Sequence, residues 1–196
     1  EGVLMVGNHT SWADIVIFSA AAPLSFVSKS EVAGYPLFGT LARLQRTVFV
    51  ERQRRSTTGE TRNEIRDRLL DGDTLLLFPE GTSHDGNTVL PFKSALLGAA
   101  EAVLANGQHV KVQPVSVAFT ALHGLPMGRE NRPSFAWYGD MELASHMWEA
   151  LLAGPLDVVV QFHEPLSLDG MDRKTLAARA RKIVQIGQSE GLAGRA

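Results

Sequence analysis

His9 and Asp14 lie in the run Gly7-Asn8-His9-Thr10-Ser11-Trp12-Ala13-Asp14, between an apolar stretch at Val3–Val6 and a helical pattern that starts near Ala13. An imidazole close to its ordinary pKa accepts a proton from a hydroxyl at neutral pH, an effect worth roughly 10²–10⁴ in rate. It works best when a carboxylate fixes its tautomer and stabilises the imidazolium. Asp14, in the first helical turn, is placed to fold back onto His9 in that role. The plainer reading of the same letters is a capping box, with Ser11 as N-cap and Asp14 three residues on. Position favours chemistry: in an open α/β sheet, ligands bind beyond the carboxyl ends of strands, where loops lead into helix N-termini.

A second cluster, Phe78-Pro79-Glu80-Gly81-Thr82-Ser83, follows the most apolar run of the chain. Pro and Gly mark a tight turn, and this turn presents a carboxylate and two hydroxyls where a polar substrate can be held. Ser83-His84-Asp85 carries the letters of a hydrolase triad. Three adjacent residues cannot act in series, however, and no Gly-x-Ser-x-Gly elbow is present. His84, His109, His123, His146 and His163 show no metal-ligand spacing, so no metal is expected. Nor is there a Gly-x-Gly-x-x-Gly or Walker pattern.

The elements that must position these residues alternate as in an α/β fold. Strands are expected at Val3–Val6, Ser25–Val27, Thr47–Val50, Thr74–Phe78, Val110–Ala118, Ser134–Tyr138 and Leu156–Phe162. Helices are expected at Ala13–Ala21, Pro36–Leu44, Thr58–Leu70, Lys93–Ala105, Ala144–Ala153 and Asp172–Ser189, with a long loop over His123–Arg132. Runs such as Leu75-Leu76-Leu77-Phe78 are apolar on both faces, as strands covered on each side are. The expected fold is α/β: one layered domain over residues 1–196, its mixed, mostly parallel sheet of about seven strands flanked by helices.

The 196 residues carry a formal charge of -2, which sets the chain apart from the strongly basic nucleic-acid binders. With no Cys there is neither a disulfide framework nor thiolate chemistry. The chain opens on Glu1 and enters an apolar run at once, so a preceding membrane-anchoring segment is expected. No internal run is long enough to span a bilayer. Arg43, Arg46, Arg52, Arg54 and Arg55 crowd one stretch against a single acid, Glu51, and suit anionic lipid or phosphate. The C-terminal helix carries an apolar stripe of Leu176, Ala180, Ile183 and Val184, expected to pack on the sheet.

Together, the run from Asn8 to Asp14 resembles the H-x₄-D block of the glycerolipid acyltransferases, the family of 1-acylglycerol-3-phosphate acyltransferases. Phe78-Pro79-Glu80-Gly81-Thr82-Ser83 is similar to that family's F-P-E-G-T block. Phe49-Val50-Glu51-Arg52 resembles the intermediate block ending in Arg, and Val112-Gln113-Pro114-Val115-Ser116-Val117 the fourth block, an apolar strand around a Pro. The four stand in the family's order and cover most of residues 5 to 118.

The resemblance implies a glycerol-3-phosphate acyltransferase-like fold and roles for each residue. His9 would be the general base toward an acceptor hydroxyl and Asp14 its orienting partner, with no covalent acyl-enzyme. Arg52, Glu80, Gly81 and Thr82 match positions that hold the acceptor's head group, Arg by its planar fork. Lys29 and Lys93 resemble lysines near the pocket. The implied reaction moves a fatty acyl group from acyl-CoA or acyl carrier protein to 1-acylglycerol-3-phosphate, with no cofactor and at the cytoplasmic face of a membrane. Because Ser83-His84-Asp85 stands where many relatives place a basic residue, lyso-ornithine lipid is the alternative acceptor. A thioester hydrolase, with His9 activating water, is the alternative from another class.

Overall fold

Strands apolar on both faces build the centre of the molecule. The computed structural model describes residues 2–35, 38–50, 55–101, 107, 109–168 and 170–195, with backbone alone at 55–58. Five strands run in parallel in the order β3–β2–β4–β1–β5: β1 Val3–Gly7, β2 Ser25–Lys29, β3 Val48–Val50, β4 Thr74–Leu77 and β5 Lys111–Leu122. β6 (Leu125–Pro126) and β7 (Leu156–Phe162) pair with β5 in antiparallel fashion, completing the seven-stranded mixed sheet expected. The helices are α1 Ala13–Ala21, α2 Phe38–Leu44, α3 Arg55–Leu70, α4 Leu143–Leu152 and α5 Arg173–Leu192.

Alternation along each strand divides the core into two layers. Leu4, Val6, Leu75 and Leu77 face Ile65 and Leu69 of α3 and Leu176, Ala177 and Ala180 of α5. Met5, Leu76, Phe26 and Val117 face the opposite way, onto Phe18 of α1 and Ala150 of α4.

Two expected elements differ. Ser134–Tyr138 is not a strand: Arg132–Ser134 forms a 3₁₀ turn, with the amides of Phe135 and Ala136 bonded to the carbonyls of Arg132 and Pro133. Pro133 suits a turn and cannot donate to a ladder. The seventh strand is β6, inside the segment expected as a loop. His123 and Gly124, at φ 53° and 74°, link it to β5, since a two-residue hairpin turn of this kind needs positive φ at both positions. The helix expected at Lys93–Ala105 is a 3₁₀ segment at Leu96–Glu101, and residues 102–106 lie outside the described residues.

Candidate active site

The two sequence clusters meet because their strands are neighbours. β1 and β4 pair with Val6 opposite Leu77, so His9 and Glu80 each stand three positions beyond a matched pair, at the carboxyl end of the sheet. The backbone N–H of His9 donates to Glu80 Oε1 at 2.8 Å, and that of Leu90 donates to Oε2 at 2.8 Å. Glu80 is only 3% exposed. It is turned inward, stapling the His9 loop to the segment that follows the turn. Burial pushes its carboxyl up to about 7, against the pull of those two N–H groups. The turn closes with Gly81 N–H on the Phe78 carbonyl at 3.1 Å, and Gly81 adopts φ +78°, a value glycine takes without strain.

Asp14 does fold back. Its Oδ2 lies 2.8 Å from His9 Nδ1 and accepts the backbone N–H groups of Thr10 and Ser11 at 2.6 and 2.9 Å. The carboxylate is fully buried, whereas the imidazole keeps 21% exposure. The capping box with Ser11 as N-cap does not form: Trp12 holds that position without a side-chain bond, and Ser11 Oγ is buried with no partner. Asp14 instead gathers the loop's amides and aims the ring. With Nδ1–H directed at the carboxylate, Nε2 carries the lone pair on the opposite edge. The ring stacks on Phe78, centroids 4.4 Å apart and planes within 10°, and Phe78 leans on Phe18 and Phe26.

Residues not singled out from sequence complete the support. Asn8 makes paired 2.9 Å bonds to the backbone of Val117, its amide donating to the carbonyl and accepting from the N–H. A wholly buried amide one residue before the histidine thus fixes the loop to β5. Trp137 N–H donates to the Thr10 carbonyl at 3.0 Å, and Ser83 Oγ donates to the Trp137 carbonyl. Ser83 is therefore occupied outside any triad. Asn8 was already within the motif, and burial at the end of a strand is the signal that distinguishes it.

The other expected site residues are placed as follows. Thr82 is exposed, its hydroxyl on the Ser83 carbonyl at 3.3 Å. Lys93 is exposed, and its backbone N–H donates to the Pro79 carbonyl at 2.8 Å, which keeps it beside the turn. Lys29 ends β2, at the same end of the sheet. Arg52, with Glu51 and Arg54, lies outside the described residues. Of the arginine cluster, Arg43 binds the Ala33 carbonyl and Arg46 pairs with Asp73. Among the described residues no cluster suits a metal ion, and no helix is long and apolar enough to cross a membrane.

A cavity of about 510 Å³ opens beside His9, walled by Trp12, Ile15 and Val16 of α1, Phe38 and Leu41 of α2, and Phe26 of β2. A proton-accepting ring at the mouth of an apolar slot suits a reaction between a hydroxyl and a long hydrocarbon carried on an activated carbonyl.

Residues 1–118 match the family model described as acyltransferase. Lyso-ornithine lipid O-acyltransferase of Brucella abortus is 50% identical over 196 residues, spanning 98% of this chain and 73% of that protein. 1-Acyl-sn-glycerol-3-phosphate acyltransferase of Neisseria gonorrhoeae is 32% identical over 162 residues, spanning 83% of this chain and 59% of that protein. Among solved structures, the 1-acyl-sn-glycerophosphate (LPA) acyltransferase PlsC of Thermotoga maritima superposes with a TM-score of 0.64 at 26% identity, over 97% of this chain and 66% of that one.

Proposed function

The chain belongs to the acyltransferase family, and we propose that it moves a fatty acyl group from a thioester, acyl-CoA or acyl carrier protein, onto the hydroxyl of lyso-ornithine lipid. The observation that carries the reaction class is the Asp14-held imidazole at the mouth of the apolar cavity. The acceptor rests on likeness: the lyso-ornithine lipid relative is 50% identical, the 1-acylglycerol-3-phosphate relative 32%. Lyso-ornithine lipid thus replaces 1-acylglycerol-3-phosphate, the acceptor implied by the motifs, as the first choice. The turn at Phe78–Asp85 fits this reading, because it offers no Lys or Arg to a phosphate.

In the proposed mechanism His9 Nε2 takes the proton of the acceptor hydroxyl as its oxygen attacks the thioester carbonyl. The tetrahedral intermediate collapses, the C–S bond breaks, and the leaving thiolate takes the proton back from the imidazolium. Asp14 holds the ring in the required tautomer and balances the transient charge. Glu80 acts through the backbone of His9. No cofactor enters the reaction.

The reading extends to the membrane. α1, α2 and α4 wall or flank the cavity, and their outer faces carry Val16, Leu41, Leu44, Trp148, Leu151 and Leu152, with Leu44 76% and Trp148 62% exposed. α4 has one charged residue, Glu149, among ten. A helix apolar on its outer face as well as its inner one suits a lipid interface, where Trp is favoured.

The test is the acylated product formed from labelled palmitoyl-CoA with lyso-ornithine lipid, 1-acylglycerol-3-phosphate or no acceptor. Diacylated ornithine lipid is the expected product. Exclusive phosphatidate formation keeps the chemistry and changes the acceptor, while thiol release without acceptor marks a hydrolase.

A further inference from the structure

Parallel crossover connections lay α1 and α2 side by side on one face of the sheet. α1 joins β1 to β2 and α2 joins β2 to β3, all parallel strands, so both helices run from the catalytic end of the sheet toward its far end. Each turns a helical stripe to the cavity: Trp12, Ile15, Val16 and Ser19 on α1, and Phe38, Leu41 and Ala42 on α2, continued by Gln45. The two stripes begin at His9 and converge seven residues later on α1, about 10 Å away at the helical rise. There Gln45 Nε2 donates to Ser19 Oγ at 2.6 Å, and Ser19 Oγ donates to the Ile15 carbonyl at 2.6 Å.

We propose that the Ser19–Gln45 hydrogen bond is the floor of the acyl cavity and sets the longest chain the enzyme accepts. The inference rests on reading the cavity as the acyl slot. The pair is polar where most of the wall is apolar, and its polarity is locally satisfied. A hydroxyl bonded twice presents no unpaired group to the methyl end of a hydrocarbon, so closure does not penalise the chains that fit. A chain one methylene too long has to break the bond or leave a carbon outside, a misfit that costs roughly tenfold or more in an apolar pocket.

The floor also explains why two partners from separate helices are used. Gln45 follows the last turn of α2, and Ser19 stands one turn before the end of α1. A bond between them fixes the gap between the helix ends, which neither helix sets alone.

The experiment compares saturated acyl-CoA donors from octanoyl to stearoyl on the full-length protein, with the acceptor that the wild type uses. The readout is the ratio of kcat/KM for the longest to the shortest productive donor, which is insensitive to the amount of folded enzyme. Gln45→Ala removes the amide and lowers the floor, so the ratio rises by about tenfold or more. Ser19→Ala breaks the same bond from the other side and shifts the ratio the same way. Ser19→Phe raises the floor, so the ratio falls while short donors still react. Unchanged ratios in Gln45→Ala and Ser19→Ala, with transfer intact, overturn the floor and leave the acyltransferase reading standing. A wild type that transfers acyl groups to no acceptor overturns both.

Discussion

Asp14 does two things with one oxygen. It holds His9 Nδ1 and it collects the amides of Thr10 and Ser11. Asp14→Asn keeps an acceptor for the loop but lets the amide reverse the imidazole's tautomer, so kcat is expected to fall by about 10²–10⁴. Steady-state kinetics with acceptor KM little changed is the check. Glu80 yields a prediction of different sign. Its carboxyl sits at about 7 in the folded protein against an ordinary 4.5, so between those values the native state holds a proton that the unfolded state has released. Its contribution to stability is full below 4.5 and lost as pH rises through about 7. Denaturant midpoints at pH 5 and pH 8 test this: the difference between wild type and Glu80→Gln should be larger at pH 5. The variant is also less stable throughout, because a Gln carbonyl serves both N–H groups poorly; one left unmet costs about 1–3 kcal/mol. The spacing of His9 and Asp14 was legible as a pair. The inward turn of Glu80 was not, because it depends on the β1–β4 register, which joins residues seventy positions apart.

At the scale of elements, periodicity located the parallel strands and α1, α3, α4 and α5 to within a few residues, because each buries one patterned face. It failed where backbone geometry rather than burial decides. The hairpin at His123-Gly124 is made by two positive φ values, and the Arg132–Ser134 turn by a proline inside an apolar run. α5 shows how closely an element can be fitted. Gly187 lies over β5 and β7 where Ser116 Oγ meets His163 Nε2 at 3.0 Å, and a Cβ at Gly187 would come 2.4 Å from the His163 ring and 2.5 Å from the serine oxygen. Gly187→Ala is therefore expected to push α5 outward and to destabilise by about 1–3 kcal/mol. The check is a lowered Tm with the His9–Asp14 kinetics preserved in the fraction that stays folded.

The whole molecule has two unlike sides. The layer made by α3 and α5 shows solvent Arg62, Glu64, Arg66, Asp67, Arg173, Lys174, Arg179 and Lys182, the mixed-sign surface of a helix facing water. The layer made by α1, α2 and α4 shows Val16, Leu44, Trp148, Leu151 and Leu152, and the cavity opens within it. If that layer meets lipid, Trp148→Glu with Leu152→Glu should reduce co-sedimentation with phospholipid vesicles several-fold while leaving thermal stability intact, since both side chains are exposed. Equal sedimentation would remove the lipid reading of this face. Neither the asymmetry nor the cavity can be read from one helix at a time, because both arise from which helices share a side of the sheet.

The most direct measurement is the transfer of labelled palmitate from palmitoyl-CoA to lyso-ornithine lipid by the full-length protein and its His9→Ala variant, at equal folded concentration. The account predicts diacylated ornithine lipid from the wild type and a rate lower by about 10²–10⁴ in the variant. Equal rates from the two proteins would contradict it, for the base would then lie elsewhere.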